Sequence, residues 1–257
     1  MQLPRKALTI AGSDPTGGAG FQADLRTFQS MGVYGLSIPA VLTAQNTEGV
    51  HCVHELAADF VSEQMDVLLR DIRPDAVKTG MLYAFDTVQV IARKVRQYSL
   101  DKLVIDPVTV SSTGVRLVEE RGMDIIGKDL FPLAKVITPN IYEAGVFAGI
   151  KIEDPEDMKG AAIKLKEMGP ETVIITGGHL GHKAMDMLFD GEEFVFIENE
   201  RLEGEFHGTG CVFSASLTAG LALGYNVKEA FIKAKDFTYR AMESAVLMGN
   251  GMKLLYF

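Results

Sequence analysis

The chain of 257 residues is 47% hydrophobic and 23% charged, enough apolar material for a full-sized core and too much for a disordered polymer. Its net charge of -9 excludes sequence-independent nucleic-acid binding, which needs a basic surface, but leaves room for an anionic substrate held by a few local donors. Two cysteines, Cys52 and Cys211, are too few for a secreted disulfide framework. The first apolar run is too short for a signal peptide, so a cytoplasmic location is expected.

In chain order, short apolar runs alternate with amphipathic ones. A Val/Ile-type strand is predicted over 7–11, a helix over 22–31 and a second strand over 37–42. His51 and His54 fall in a further extended segment. Asp59 reads as the N-cap of a helix carrying Val61, Met65, Leu68, Leu69 and Ile72 on one stripe. Strands at 76–77, 103–105, 136–137 and 172–175 alternate with helices at 87–98 and 155–168. Asp190-Gly191 turns a hairpin between 185–189 and 194–197, and helices follow over 211–223 and 228–247.

The stretch 206–227 has no charged side chain and raises the question of a membrane span. His207, Gly208 and Gly210 at its start, and Ser214, Ser216 and Thr218 within it, fit a helix buried in a soluble core better, so no membrane contact is expected. Alternating strands and helices predict an α/β fold with a mostly parallel central sheet and helices on both faces. No linker or internal repeat interrupts it, which predicts one domain over 1–257.

Ligands of such sheets bind at the carboxyl ends of the strands. Several polar, glycine-rich clusters fall there: residues 11–20, Lys78-Thr79-Gly80-Met81, Asp106-Pro107-Val108, Thr138-Pro139-Asn140 and Thr176-Gly177-Gly178-His179. Gly208-Thr209-Gly210-Cys211 stands before the uncharged helix, where free amides and the dipole suit a moving phosphoryl group; a plain glycine turn is the simpler alternative. At that helix start the dipole should lower the Cys211 thiol pKa and make it a proton acceptor, the alternative being an inert buried thiol. Cys52 is read as inert and buried. Asp106 and Glu143 suit Mg²⁺, which keeps most of its waters; for Asn140 and Glu143 helix capping is a rival.

The glycines of 11–20 lack the Lys-Ser/Thr of a P-loop and the dinucleotide fingerprint, and read as a loop over substrate. Gln45 follows the second strand and can pair a donor and an acceptor with a heteroaromatic ring. His51 and His54, three apart in a strand, face opposite sides and make no metal pair, and a metal site at His179 and His182 is the weaker reading. Most of the 12 methionines read as core filler; Met81, in a ligand-edge cluster, is the exception.

These pieces resemble the hydroxymethylpyrimidine/phosphomethylpyrimidine kinases, a branch of the ribokinase-like superfamily. The resemblance is carried, in order over nearly the whole chain, by Ala7-Leu8-Thr9-Ile10-Ala11-Gly12-Ser13-Asp14-Pro15, Gly17-Gly18-Ala19-Gly20, Gln22-Ala23-Asp24-Leu25, Ala44-Gln45-Asn46-Thr47, Lys78-Thr79-Gly80-Met81-Leu82, Ile105-Asp106-Pro107-Val108, Ile137-Thr138-Pro139-Asn140 with Glu143, and His207-Gly208-Thr209-Gly210-Cys211. It implies a three-layer α/β/α fold, ATP with Mg²⁺, and phosphorylation of a hydroxymethylpyrimidine and then its monophosphate in thiamine biosynthesis. It implies Cys211 as base, Gly208, Thr209 and Gly210 as anion hole, and Asp106 and Glu143 at the metal. It implies Gln45, Gly12, Ala19, Asp24, Met81 and Val108 around the substrate, Thr176, Gly178 and Thr209 at ATP, and a homo-oligomer, with a dimer favoured.

Three features depart from the family pattern. Thr176 replaces a common Lys, Thr109 follows Val108 where Met is common, and the ending 249–257 lacks the usual Gly-Pro-Val-x-His. Vitamin B6 kinases of the same fold also carry Thr-Gly-Gly at the late strand and are the alternative. A non-catalytic ligand-binding protein is a third reading, against which Asp106, Glu143, the 208–210 loop and Cys211 speak.

Overall fold

The structure, a computed structural model, describes residues 3–110, 117–118, 120–177 and 183–257. Among the described residues nine strands form one sheet, and its first half sets where a ligand can sit. Strand β1 (Lys6–Gly12) leads through helix α1 (Gly20–Ser30) to β2 (Tyr34–Asn46), its parallel neighbour on one side. After β3 (Gly49–Glu55) and α2 (Ala58–Asp71), β4 (Ala76–Thr79) pairs with β1 on the other side. The winding direction therefore reverses at β1, and a crevice opens at the carboxyl ends of β1 and β4.

From β4 the sheet grows outward. Helix α3 (Phe85–Tyr98) connects to β5 (Leu103–Ile105); α4 (Glu120–Ile125) and an irregular helical stretch over 126–133 lead to β6 (Val136–Ile137). Helices α5 (Ile141–Ala148) and α6 (Pro155–Glu167) precede β7 (Val173–Gly177). Strands β8 (Lys183–Phe189) and β9 (Phe194–Glu200) close that edge antiparallel, giving the order β3-β2-β1-β4-β5-β6-β7-β8-β9. A small pair, β10 (Phe206–His207) and β11 (Lys253–Leu254), brackets α7 (Thr209–Leu223) and α8 (Val227–Glu243).

Successive strand side chains point to opposite faces, and the core divides accordingly. Leu8 and Ile10 pack with α2, α3 and α6 on one face, while Ala7, Ala76, Val104, Val136 and Ile174 pack with α7 and α8 on the other. That is the expected three-layer arrangement. Helix α7 lies against the sheet with every residue from Val212 to Ala222 buried, which explains its lack of charge. No helix among the described residues is long and apolar enough to cross a membrane.

Some expectations are corrected. Asp59 is not an N-cap: Ala57, two residues earlier, caps α2, and the Asp59 carboxylate accepts from the Phe60 amide (2.7 Å) inside the first turn, where the dipole favours it. Helix α8 ends at Glu243, four residues short of prediction, because Val246 instead pairs with Leu254. Strand β2 outruns its predicted 37–42; its distal half forms a hairpin with β3 and alternates between intermediate and exposed residues, so no apolar run marks it. Cys52, on β3, is exposed rather than buried. Residues 251–252 cross the tip of that hairpin: the Gly251 and Met252 amides donate to Thr47 Oγ1 (3.2 Å) and to the Thr47 carbonyl (3.0 Å).

Candidate active site

One cavity of about 1260 Å³ lies across the carboxyl ends of the parallel strands. Its wall gathers most of the residues singled out from sequence: Gly12, Ala19, Gln45, Met81 and Val108 at one end, Thr176 toward the other, with Asp106, Glu143 and 208–211 also on it. Gly178, His179 and His182 lie outside the described residues.

The 13–19 loop is held by its own aspartate. Asp14 accepts from the Thr16 amide (2.9 Å), the Thr16 hydroxyl and the Ala19 amide (2.8 Å), so the chain turns tightly from β1 into α1. The turn at Gly208 packs directly on this loop. Gly208 has φ +81°, and a Cβ there would sit 1.8 Å from the Gly18 carbonyl oxygen, so backbone meets backbone and only glycine fits. Gly210 differs: a Cβ there would meet nothing within 4 Å.

Gly208 caps α7 without a side-chain cap bond, and the first intrahelical bond runs from the Val212 amide to the Gly208 carbonyl (2.9 Å). The amides of Thr209, Gly210 and Cys211 thus have no acceptor within the helix, and no acidic side chain occupies its first turn. This is a donor cluster at the positive end of a 15-residue helix, facing the cavity.

The chemistry around Cys211 is not what its place on a helix suggests. Burial pushes the thiol up, to about 12; Asp106 and Asp24 add to the rise, and Lys78 and the Gly20 amide oppose it without winning. The expected lowering by the helix end is therefore overturned by desolvation and nearby carboxylates.

A charged cluster sits at the cavity floor, with Lys78 and Asp106 on the wall. Lys78 on β4 is fully buried, 2.7 Å from Asp24 Oδ1 and 4.0 Å from Asp106 Oδ2. Burial disfavours its charge, but Asp24, then Cys211 and Asp106, hold its pKa above the ordinary lysine value. Asp24 also accepts from the Thr9 hydroxyl (2.6 Å) and does not reach the cavity wall, so the expected substrate contact is instead an anchor for Lys78. Asp106 accepts from Ser214 on α7 (2.7 Å).

Glu143 plays both roles that sequence left open. It closes a capping box with Asn140 at the start of α5, receiving the Asn140 amide (3.0 Å), and it accepts the Thr109 amide (2.9 Å). It also lines the cavity, where burial and then the charge of Asp106 push its carboxyl up to about 8. Burial likewise raises Asp106. Two buried carboxyls short of positive charge are a fitting donor set for a hard divalent cation. Among the described residues no group of three or more His, Cys, Asp or Glu could hold a metal ion.

Sequence reading missed five residues here. Lys78 left a signal, a lone cation inside a short buried strand. Asp14 with His207 (2.7 Å apart across 193 positions), and Lys235 on α8 with Asp186 on β8 (2.8 Å), left none, because each pair meets only in three dimensions.

Amides and a dipole aimed into a cavity that also holds two carboxyls can stabilise a moving phosphoryl group. On this sheet order, that makes the protein a small-molecule kinase of the ribokinase-like class. Comparison with known proteins narrows the class. A profile of the phosphomethylpyrimidine kinase family matches residues 14–255, and the chain belongs to that family. It is 43% identical over 249 residues to the hydroxymethylpyrimidine/phosphomethylpyrimidine kinase of Bacillus subtilis, covering 96% of this chain and 92% of that one. Among solved structures, the Clostridium difficile phosphomethylpyrimidine kinase superposes with TM-score 0.84 at 39% identity, covering 93% of this chain and 99% of that one. The Bacillus subtilis pyridoxal kinase, as its ADP complex, superposes with TM-score 0.91 at 38% identity, covering 98% and 97%.

Proposed function

We propose that the protein transfers the γ-phosphoryl group of ATP to the hydroxymethyl group of 4-amino-5-hydroxymethyl-2-methylpyrimidine, and then to the resulting monophosphate, in thiamine biosynthesis. It works in the cytoplasm as a homodimer of one-domain chains. The observation that carries this reading is the sharing of one cavity by the Gln45 amide and the open end of α7. A side-chain amide matches an amino group beside a ring nitrogen, and free helix amides match a transferring phosphoryl group.

In this reading Gln45 orients the ring, with Gly12, Ala19, Met81 and Val108 around it, and brings the hydroxymethyl group toward Cys211. The amides of 209–211 stabilise the charge that spreads over the moving group, aided by Lys78 on the cavity wall. Thr176 borders the nucleotide. Cys211 removes the hydroxyl proton; its raised pKa keeps the resting thiol protonated at neutral pH, so the competent form grows with pH. Asp106 and Glu143 would hold Mg²⁺, which when bound supplies positive charge to the phosphates and offsets the carboxylates that hold the thiol up.

The test is steady-state kinetics with the hydroxymethylpyrimidine, its monophosphate and pyridoxal side by side. The pyrimidine should have the higher kcat/KM, and Gln45→Met should remove that advantage, about 1–3 kcal/mol for an unpaired buried partner. A wild-type preference for pyridoxal would favour the second reading, a vitamin B6 kinase, which Thr176 and the likeness to the solved pyridoxal kinase support.

A further inference from the structure

His207 stands where three parts of the acceptor end meet, and it is 5% exposed. It pairs with Leu254 in the β10–β11 ladder and directly precedes Gly208. Its Nε2 lies 2.7 Å from Asp14 Oδ2 and 3.0 Å from the Gln45 side-chain nitrogen. Its Nδ1 is buried without a hydrogen-bond partner among the described residues.

A ring nitrogen carries either a hydrogen or a lone pair, so Nε2 cannot serve both neighbours as they stand. Asp14 decides which. Its two oxygens already receive the amides of Thr16 and Ala19 and the Thr16 hydroxyl, so it is built as an acceptor. Burial works against its charge, but hydrogen bonds from His207 and Thr16 hold its carboxyl below the usual range. Nε2 therefore carries the hydrogen and donates to Asp14. A second N–H pointing into the same gap from Gln45 would be repelled.

Half a turn of the Gln45 amide removes the conflict. Its oxygen then faces Nε2–H, and its nitrogen takes the place now 3.4 Å from Thr43 Oγ1. Thr43 can accept there, because it donates its own hydrogen to the Ser13 carbonyl (2.8 Å).

We infer that His207, locked by Asp14, fixes which way round the Gln45 amide faces the cavity, and so sets the donor–acceptor order read on the substrate ring. The locked amide keeps one free lone pair and one free N–H side by side, the pair that an amino group next to a ring nitrogen requires. An unlocked amide presents the reverse order as well, and meets the amino group with its own NH₂. His207 is thus a positioning residue, and its role rests on the reading that Gln45 receives the pyrimidine.

Two substitutions separate reach from chemistry. Glutamine carries its amide nitrogen about where imidazole carries Nε2, and asparagine about where it carries Nδ1. His207→Asn should raise KM for the hydroxymethylpyrimidine about tenfold and lower its advantage over pyridoxal by the same factor, with KM for ATP unchanged. His207→Gln should stay within about threefold of wild type. Equal losses in both variants, or a parallel fall in kcat, ATP affinity and Tm, would overturn the inference. If the asparagine variant does not fold, loss of the pyrimidine preference in the glutamine variant overturns it alone. Gln45→Met tells the two failures apart. If it leaves KM and preference unchanged, the pyrimidine reading of Gln45 fails. If it raises KM while His207→Asn does not, only the lock fails. His207→Asn placed in the Gln45→Met background should add no further loss of preference.

Discussion

The same cavity is bordered by two buried lysine–aspartate pairs of similar length and different character. Lys235 on α8 meets Asp186 at 2.8 Å and also donates to the Ala184 carbonyl (3.2 Å), while Asp186 accepts the Gly177 amide (2.9 Å). One cation faces one anion, and both are further hydrogen-bonded. Lys78 meets Asp24 at 2.7 Å but has Asp106 at 4.0 Å as well. One cation there serves two carboxylates, with a high-pKa thiol and Glu143 nearby. A balanced pair ties a helix to a strand and asks for nothing more. An unbalanced cluster has negative charge left over, and that leftover is what a divalent cation or a transferring phosphoryl group with its counter-ion can use.

Cys211 is the member of the unbalanced cluster where the largest effect on turnover is expected. Cys211→Ala should lower kcat by about 10²–10⁴, the usual range for loss of a general base. In the wild type, log kcat/KM for the pyrimidine should climb with pH through neutrality and still be climbing at pH 9, because the free thiol titrates at about 12. The alanine variant should lose that slope. A plateau near neutrality in the wild type would show that another group takes the proton.

Lys78→Met comes next. It leaves Asp24 and Asp106 without their cation in a fully buried place, so chemical denaturation should show a loss of about 3–5 kcal/mol. Turnover should fall by about 10²–10³. Unchanged turnover in a folded Lys78→Met protein would make this pair a clamp like the other.

Glu143→Gln should weaken activation by Mg²⁺ about tenfold or more, read from the Mg²⁺ dependence of rate. The pH sign follows from its raised carboxyl. The unfolded group ionises near 4.5 and the folded one near 8, so the metal-free wild type should lose stability as pH rises from about 5 through 8. Mg²⁺ should restore stability most at pH 8–9, where the carboxylate is formed. Metal-free Glu143→Gln should show a flatter profile, and an identical one would remove Glu143 from the site.

The smallest effect on turnover belongs to the balanced pair. Lys235→Met should destabilise by about 3–5 kcal/mol, since it orphans Asp186, yet leave kcat within about threefold. Adding Asp186→Leu should return most of that stability, as replacing both partners of a buried pair often does. A large kcat loss in the double variant would mean that Lys235 also serves the nucleotide.

How much of this was legible follows the range of the interactions. Strands 103–105 and 136–137 were placed to the residue, because a buried parallel strand is a bare apolar run. The distal half of β2 gave no such run, and α5 hid behind its own capping residues, which sequence could only offer as a rival to a metal role for Glu143. Glycines 208 and 210 were found together, yet only the structure separates one that must be glycine from one that merely leaves space. The sign of the Cys211 shift was missed for a long-range reason. Position 211 shows the helix end, but not the burial or the carboxylates of residues 24 and 106 folded across from it.

The contact of residues 251–254 with Thr47 and His207 also bears on biosynthesis. The strands up to β7 contain every ladder of the parallel sheet and leave the ribosome some seventy residues before that segment does. The nascent chain can lay down its sheet early, as domains fold during synthesis. Its acceptor wall must wait until residue 254 has emerged, since the strand partner of His207 and the donors to Thr47 come from there. A ribosome stalled at any codon in between would display a sheet with its acceptor wall unfinished, so pyrimidine binding by stalled chains of graded length should switch on only once residues 251–254 have left the ribosome.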